Sequence, residues 1–297
     1  MPYSEGHTLT FQPLTDQSHM TPPVFRFAPS PNGRLHLGHA FSALQNEAEA
    51  RRIGGQLLLR IEDIDPVRCR PEFEAAILDD MRWLGIGFAP EVRRQSAHMN
   101  DYRAALDQLG GMGLLYACGC SRTMIKIAAG STPVRNPDGA IIYPGTCRDR
   151  PARRDAVATR LDMARAIARI DRPLGYTRFW PDGRTEEIVV DPARWGDVVL
   201  ARKETPTSYH LSVVVDDALQ RVTHVVRGKD LEDQTDIHVL LQALLGLPTP
   251  QYQFHRLIVD DDDEKLAKSR GARALADLKA GNETAATIRA RFGFDQA

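Results

Sequence analysis

The chain of 297 residues has few cysteines, no long apolar run and almost no net charge. Its four cysteines are unevenly spaced, which argues against the disulfide framework of a secreted protein and favours the reducing cytoplasm. No apolar run approaches the about 18 residues of a membrane-spanning helix, so we expect no membrane contact. A formal net charge of −1 gives no argument for a nucleic-acid partner, although arginine is locally dense near residue 150.

Internal repeats, low-complexity segments and a signal-peptide core are also lacking. Residues 1–23 are polar, and we interpret them as a disordered extension. With 42% hydrophobic and 26% charged residues the rest is typical of a globular protein, and the length predicts two domains.

The first part of the chain alternates short apolar runs with amphipathic segments. We predict a strand at 24–28, a helix at 36–53, a strand at 56–61 and a helix at 71–84, the last beginning at Pro71. The order β-α-β-α is typical of an α/β fold with a Rossmann-like, doubly wound parallel sheet.

Residues 101–197 are irregular and hold three of the cysteines, so we interpret them as an insertion domain. The sheet is predicted to resume after it, which divides the catalytic domain into residues 24–100 and 198–245. Residues 246–297 form the predicted C-terminal region, with two short helices inside 273–294. The further predicted elements are strands at 211–215, 222–226 and 254–259 and a helix at 231–245.

The most informative run is R-F-A-P-S-P-N-G-R-L-H-L-G-H at residues 26–39. It leads from the end of a strand through a Pro/Gly/Asn loop into a helix. A helix start of this kind binds phosphate, because its first N–H groups lack partners and the helix dipole favours an anion. His36 and His39 lie on one helical face, where both can contact the same phosphates.

A second run, K-L-A-K-S at residues 265–269, follows an acidic stretch. The two runs together resemble the two signature motifs of class I aminoacyl-tRNA synthetases, and within them the glutamyl group. The resemblance implies that His36, His39, Lys265 and Lys268 are catalytic, and that His36, Gly38, His39 and Lys268 bind ATP with Mg²⁺. Ala267 stands where the motif has a serine, which removes one hydroxyl from this loop.

A glutamate side chain is an anion, which a buried arginine binds by charge-assisted hydrogen bonds. Arg26 and Arg227, at the ends of two predicted strands, are suited to that role. The segment Y-H-L-S-V-V-V-D-D at residues 209–217 also matches the glutamyl group. The resemblance assigns to the glutamate pocket Arg26, Phe27, Ala28, Pro29, Ser30, Glu62, Tyr209 and Arg227, with Glu62 facing the α-ammonium group.

Cys118, Cys120 and Cys147 form a pattern typical of a metal site, while Cys69 stands apart as a loop thiol. Three reduced cysteines in a small core are the alternative. No histidine lies between residues 99 and 209, so the residues alone leave open a fourth ligand among Asp138, Tyr143, Asp149 and water. The resemblance favours Tyr143, because a short bacterial group carries C-x-C…Y-x-x-x-C around one structural Zn²⁺.

The chain ends at Ala297, shortly after the second motif, so we expect no anticodon-binding domain. This combination resembles the glutamyl-Q tRNA(Asp) synthetase family. The resemblance implies that L-glutamate is activated by ATP without tRNA and transferred to queuosine in tRNA(Asp), by a monomer. Two alternatives remain: a truncated glutamyl-tRNA synthetase that charges the 3′ end, and a non-catalytic zinc-bearing module that binds RNA.

Overall fold

The computed structural model describes residues 22–149, 157–258 and 273–294. Most of the predicted N-terminal extension and the whole run K-L-A-K-S lie outside these ranges. Within them, none of the helices combines the length and the apolar character needed to cross a membrane.

The described residues form strands and helices in an alternating order along most of the chain. The strands are β1 Val24–Phe27, β2 Gln56–Ile61, β3 Val92–Arg94, β4 Leu115–Cys118, β5 Ala158–Leu161, β6 Gly175–Phe179, β7 Thr185–Val189, β8 Val199–Arg202, β9 His224–Gly228 and β10 Gln251–His255. The helices are α1 Leu37–Arg52, α2 Pro71–Trp83, α3 Met99–Gly111, α4 Arg122–Ala129, α5 Met163–Ala168, α6 Tyr209–Leu219, α7 Thr235–Leu245, α8 Leu275–Ala280 and α9 Ala285–Arg291.

Parallel strands form the centre of the fold. β1 pairs with β2 and β2 with β3, all parallel, and β9 pairs with β10 in the same sense. β1 is buried along its whole length and β2 at all but its first residue, as expected for strands covered on both faces. The predicted α/β fold with a parallel sheet is confirmed.

The two groups of parallel strands meet at β1 and β9. The backbone N–H of Thr223 donates to the carbonyl of Val24 over 2.9 Å, and the two strands lie against each other. From β1 the strand order continues through β2 to β3, and from β9 it continues to β10 on the other side. Such a reversal opens a crevice at the carboxyl ends of the central strands, where ligands of this architecture bind.

The predicted insertion contributes to two sheets. β4, β5 and β8 form a separate antiparallel sheet. β6, in contrast, pairs in parallel with β10, and β7 pairs antiparallel with β6. Residues 175–189, which the sequence pattern assigns to the insertion, are therefore hydrogen-bonded to the sheet that carries the cleft.

The strand predicted at 211–215 is wrong, because these residues lie inside α6. Ser208 caps this helix, its hydroxyl accepting from the N–H of Leu211 over 3.4 Å. Every residue of 211–218 is buried, since the helix packs against α3 and α7. A helix buried on all sides shows no amphipathic period, and a short valine-rich run then looks like a buried strand.

Other predicted boundaries moved by a few residues. The strand predicted at 222–226 is β9, and the strand predicted at 254–259 is β10, which ends at His255. The helix predicted at 231–245 begins only at Thr235, because a short 3-10 helix precedes it. Two short C-terminal helices, α8 and α9, are present as predicted.

Candidate active site and cysteine cluster

An open cleft of about 930 Å³ lies at the carboxyl ends of β1 and β9. Its walls come from the loop after β1, the start of α1, the end of β2, the start of α6 and the segments after β9 and β10. Among its lining residues are eleven of the predicted site residues: Arg26, Phe27, Ala28, Pro29, Ser30, His36, Gly38, His39, Glu62, Tyr209 and Arg227. Lys265 and Lys268 lie outside the described residues.

The histidines at the start of α1 cap that helix. Nδ1 of His36 accepts from the N–H of Gly38 over 3.1 Å, and Nδ1 of His39 accepts from the N–H of His36 over 3.2 Å. In each ring the accepting Nδ1 carries no hydrogen, so a neutral ring has its N–H at Nε2. Both rings are thereby fixed as Nε2 donors on the wall of the cleft, which suits contact with an anion.

Gly38 leaves room for this arrangement. A Cβ atom at position 38 would stand 3.0 Å from Cε1 and 3.1 Å from Nδ1 of His36. A side chain at residue 38 would therefore crowd the His36 ring where it packs over the first turn of α1.

Arg26, the residue before the last of β1, lines the cleft and is almost fully buried. Its Nε donates to Oδ1 of Asp217 over 3.2 Å, and Asp217 is buried as well. The nearby cations Arg26 and Arg60 outweigh burial and hold the pKa of Asp217 below its usual range. Asp217 thus stays ionised and fixes Arg26 from α6.

Arg60 on β2 extends this ion-pair network behind the cleft. It has no exposed surface, and its Nη2 lies 2.8 Å from Oδ1 of Asp217. The neighbouring Asp216 accepts from Nε of Arg93 over 2.6 Å and from the hydroxyl of Tyr102 over 2.9 Å. The two aspartates at the end of the Y-H-L-S-V-V-V-D-D segment therefore connect α6 to β1, β2, β3 and α3.

Glu62 lies just after β2 on the wall of the cleft, in surroundings that favour its neutral, protonated form. Burial raises the pKa of Glu62 to about 7, and the cations Arg60 and Arg26 limit that rise. Arg60 Nη2 is 3.5 Å from Oε1 of Glu62. A cationic group that enters the cleft beside Glu62 would favour its ionised form.

Arg227, on β9, lines the same cleft as Arg26 and is also buried. Its Nη2 donates to Oγ1 of Thr235 over 2.7 Å, and its Nη1 donates to Nδ1 of His238 over 3.1 Å. Its Nε, although buried, has no hydrogen-bond partner. The hydroxyl of Tyr209, whose pKa burial raises, lies 3.5 Å from Nη1. The guanidinium is held through its two terminal nitrogens, and its Nε has no acceptor.

The three cysteines predicted to bind metal come together. The sulfur atoms of Cys118, Cys120 and Cys147 all lie within 4.8 Å of one another. Cys118 and Cys147 are buried in a small core of their own with Tyr143, beside the antiparallel sheet. Thiolates converging on one point are the donors that zinc prefers, so the residues present fit that metal.

Tyr143 lies at the same point. Its hydroxyl is 3.4 Å from Sγ of Cys120 and accepts from the N–H of Cys147 over 2.9 Å. Burial and the neighbouring thiols raise the pKa of Tyr143. The guanidinium of Arg160 lies over the Tyr143 ring at 4.0 Å from its centroid, which favours negative charge on that ring. The two carboxylates considered as alternatives, Asp138 and Asp149, are absent from the group of candidate ligands found among the described residues.

Comparison with known proteins identifies the family of this chain. Residues 24–290 match the catalytic domain of the class I tRNA synthetases (E and Q). A glutamyl-Q tRNA(Asp) synthetase of Rhodobacter capsulatus is 49% identical over 281 residues, which cover 91% of this chain and 99% of the relative. The chain belongs to the glutamyl-Q tRNA(Asp) synthetase family. A second member, from Albidiferax ferrireducens, is 40% identical over 268 residues, covering 85% of this chain and 86% of the relative.

Solved structures of other tRNA synthetases share the fold of this chain. A glutamate tRNA ligase from Elizabethkingia meningosepticum, in complex with its amino acid, superposes with a TM-score of 0.66 at 25% identity. The match covers 84% of this chain but 53% of the ligase, so the chain spans about half the length of that protein. A methionyl-tRNA synthetase from Mycobacterium tuberculosis shares the fold at 12% identity and a TM-score of 0.57. As a member of this family, the protein is a ligase.

Several residues that shape the cleft of this glutamyl-Q tRNA(Asp) synthetase family member are missed by the sequence analysis. Arg60, Asp216, Asp217 and His238 all lie behind the cleft, and their partners are remote in sequence. The pair Asp216-Asp217 after a valine run is the one local signal that points to them. Cys69 is more than an isolated loop thiol, since its Sγ lies 3.6 Å from Oγ of Ser30.

Proposed function

We propose that this protein activates L-glutamate with ATP, without tRNA, and transfers the glutamyl group to queuosine at the wobble position of tRNA(Asp). The observation that carries the proposal is the cleft itself. It joins a histidine-capped helix start, suited to phosphate, with two buried arginines and a buried carboxylate, suited to an acidic amino acid. The names of relatives at 40–49% identity supply the acceptor.

In the proposed ATP subsite, His36 and His39 donate from Nε2 to phosphate oxygens, and Gly38 allows the phosphates to approach the start of α1 closely. Lys265 and Lys268 would contribute positive charge from the second motif. Mg²⁺ accompanies the ATP phosphates. This set of groups supplies charge stabilisation and positioning, which are the main needs of reactions at phosphorus.

In the proposed glutamate subsite, Arg227 binds the side-chain carboxylate, with Tyr209 beside it. Arg26 sits at the opposite wall, and Glu62 faces the α-ammonium group. Arg227 suits its role because it lines the cleft and forms no ion pair with a carboxylate of the described residues, so a substrate carboxylate can balance its charge. Phe27, Ala28, Pro29 and Ser30 line the entrance between the two subsites.

The proposed reaction has two steps. An oxygen of the glutamate α-carboxylate attacks the α-phosphorus of ATP, and the bond to the bridging oxygen breaks, giving glutamyl-adenylate and pyrophosphate. A hydroxyl of the queuosine cyclopentenediol then attacks the acyl carbon, loses its proton and expels AMP. Neither step requires a nucleophile from the protein.

We propose that Cys118, Cys120, Cys147 and Tyr143 hold one structural Zn²⁺. The supporting observations are the three converging sulfur atoms and the phenol oxygen within 3.4 Å of one of them. Neutralised thiolates in this small core would fix β4 to the segment that follows α4.

Glutamate-dependent exchange of labelled pyrophosphate into ATP, without tRNA, tests the activation step. We expect exchange with glutamate and far less with glutamine or aspartate. Arg227→Gln is expected to abolish it, while Arg202→Gln, at an exposed arginine of β8, leaves it unchanged. No exchange in the wild-type protein, or exchange that needs tRNA, would contradict tRNA-independent activation.

A further inference from the structure

The two buried arginines of the cleft differ in how their charge is balanced. Arg26 forms an ion pair with Asp217, whose carboxylate Arg60 also shares. For Arg227, no carboxylate of the described residues comes within the 4.0 Å of an ion pair. Its hydrogen-bonded partners are instead three neutral groups: the hydroxyl of Thr235, a ring nitrogen of His238 and, at 3.5 Å, the hydroxyl of Tyr209. Among the described residues, Arg227 is therefore held in place without a carboxylate that would compensate its positive charge.

The histidine partner is part of a hydrogen-bond chain with a fixed direction. A guanidinium can only donate, so Nδ1 of His238 must accept from Arg227 over 3.1 Å and carries no hydrogen. The ring hydrogen is then on Nε2, which donates to Nδ1 of His210 over 3.2 Å. His210 must in turn accept at Nδ1. The direction of each bond thus follows from the arginine, and neither ring can hold a second proton without breaking the chain.

Burial and neighbouring charges support the neutral state of both rings. His238 is 1% exposed, and burial together with Arg227 lowers its pKa well below the ordinary value. Burial and Arg227 also lower the pKa of His210, to about 4. The ring of Tyr209 packs on both imidazoles, with centroids 5.5 Å and 5.6 Å away, and shields them from the cleft.

We propose that His238 and His210 are positioning residues that determine specificity: they hold Arg227 by a neutral hydrogen-bond chain, so that its uncompensated charge selects an anionic side chain over the neutral amide of the same shape. The inference rests on the proposed function, because it assumes that Arg227 meets the side chain of the amino-acid substrate. A carboxylate in the place of His238 would hold the guanidinium equally well, but it would form a buried ion pair and remove the charge that attracts glutamate.

Three substitutions at residue 238 separate positioning from charge. His238→Gln keeps a neutral acceptor, His238→Leu removes the acceptor, and His238→Glu adds a carboxylate. His98→Glu, at a partly exposed histidine outside the cleft, is the matched control for the added charge. The measurement is pyrophosphate exchange, giving KM and kcat with glutamate and with glutamine, alongside a thermal melt of each variant.

We expect His238→Gln and His98→Glu to stay within about threefold of the wild-type KM for glutamate. His238→Glu should raise that KM by about tenfold or more, a loss of at least about 1.4 kcal/mol of binding, with a smaller change in kcat because the interaction is already formed in the ground state. Its preference for glutamate over glutamine should fall by a similar factor. His238→Leu should raise the KM as well, since Arg227 loses one of its hydrogen-bond acceptors.

Unchanged KM and unchanged preference in a folded His238→Glu variant would overturn the inference. If that variant does not fold, equal KM values for His238→Leu and His238→Gln would overturn it instead. Both results leave the proposed function intact, because that function is tested separately by glutamate-dependent exchange in the wild-type protein.

Discussion

Arg26 and Asp217 form a buried ion pair, with 3.2 Å between Nε and Oδ1, that joins the end of β1 to helix α6 across 191 residues of sequence. Both side chains are about 5% exposed. The pair fixes one arginine of the cleft and at the same time anchors the helix that carries Tyr209. Stability and substrate binding are therefore coupled at this contact.

Replacing Asp217 by asparagine is expected to lower the free energy of unfolding by about 3–5 kcal/mol, because it leaves Arg26 and Arg60 as buried cations without this partner. Urea denaturation followed by circular dichroism measures the change. Glu74→Gln is the control, since Glu74 pairs with the half-exposed Arg94 and a pair of that kind contributes less than about 1 kcal/mol. Equal losses in the free energy of unfolding would show that the buried ion pair contributes no more to stability than the exposed one.

Glutamate binding should improve as the pH rises from 6 to 8. Burial raises the pKa of Glu62 to about 7, so below that value the side chain is largely neutral and does not attract an α-ammonium group. Above it the carboxylate is charged, and the KM for glutamate in pyrophosphate exchange should fall about tenfold over this range. Glu62→Gln should give a high KM that varies little with pH, whereas the exposed control Glu72→Gln keeps the wild-type profile. An unaltered profile in Glu62→Gln would assign the titration to another group.

Gly38→Ala should impair the use of ATP while the fold stays intact. The added Cβ meets the His36 ring at 3.0 Å, so the ring must shift by a few tenths of an ångström and the Nε2 donor moves with it. We expect the KM for ATP to rise and kcat to fall, with a thermal melt close to wild type. Gly87→Ala adds its Cβ to open space and is the matched control. Wild-type kinetics for Gly38→Ala would mean that the His36 ring position is irrelevant to ATP.

Cys118→Ser should remove the metal, and Tyr143→Phe should weaken its binding. Purified protein is analysed for zinc by mass spectrometry, and release is followed with a chromogenic chelator. Cys69→Ser, which changes the cysteine outside the cluster, should keep one zinc per chain. If Tyr143→Phe retains zinc as tightly as wild type, the phenol is not a ligand and only the thiolates remain as protein donors.

The start of the catalytic domain could be predicted because its signals are local. β1, α1, β2 and α2 follow from apolar runs, a double glycine after α1 and a proline at the start of α2. Residues 26–39, which form the loop and helix start suited to phosphate, are likewise contiguous in sequence. Their assembly into one cleft needs only the rule that parallel strands share a carboxyl edge.

The parts that could not be predicted depend on remote partners. The sequence pattern predicts a strand within α6, because burial on all sides removes the helical period of these residues. Asp217 pairs with Arg26, which is 191 positions away, and His238 accepts from Arg227, which is 11 positions away and on another element. No local pattern distinguishes these residues from ordinary buried polar residues, and the folded contacts alone reveal them.

The central claim is transfer to queuosine, and one labelling experiment tests it most directly. The protein is incubated with labelled glutamate, ATP and tRNA whose 3′-terminal diol has been removed while its queuosine is retained, and in parallel with tRNA from cells that lack queuosine. If the glutamyl group is transferred to queuosine, we expect label on the first tRNA and none on the second. Label that is lost with the 3′ diol and is indifferent to queuosine would contradict it.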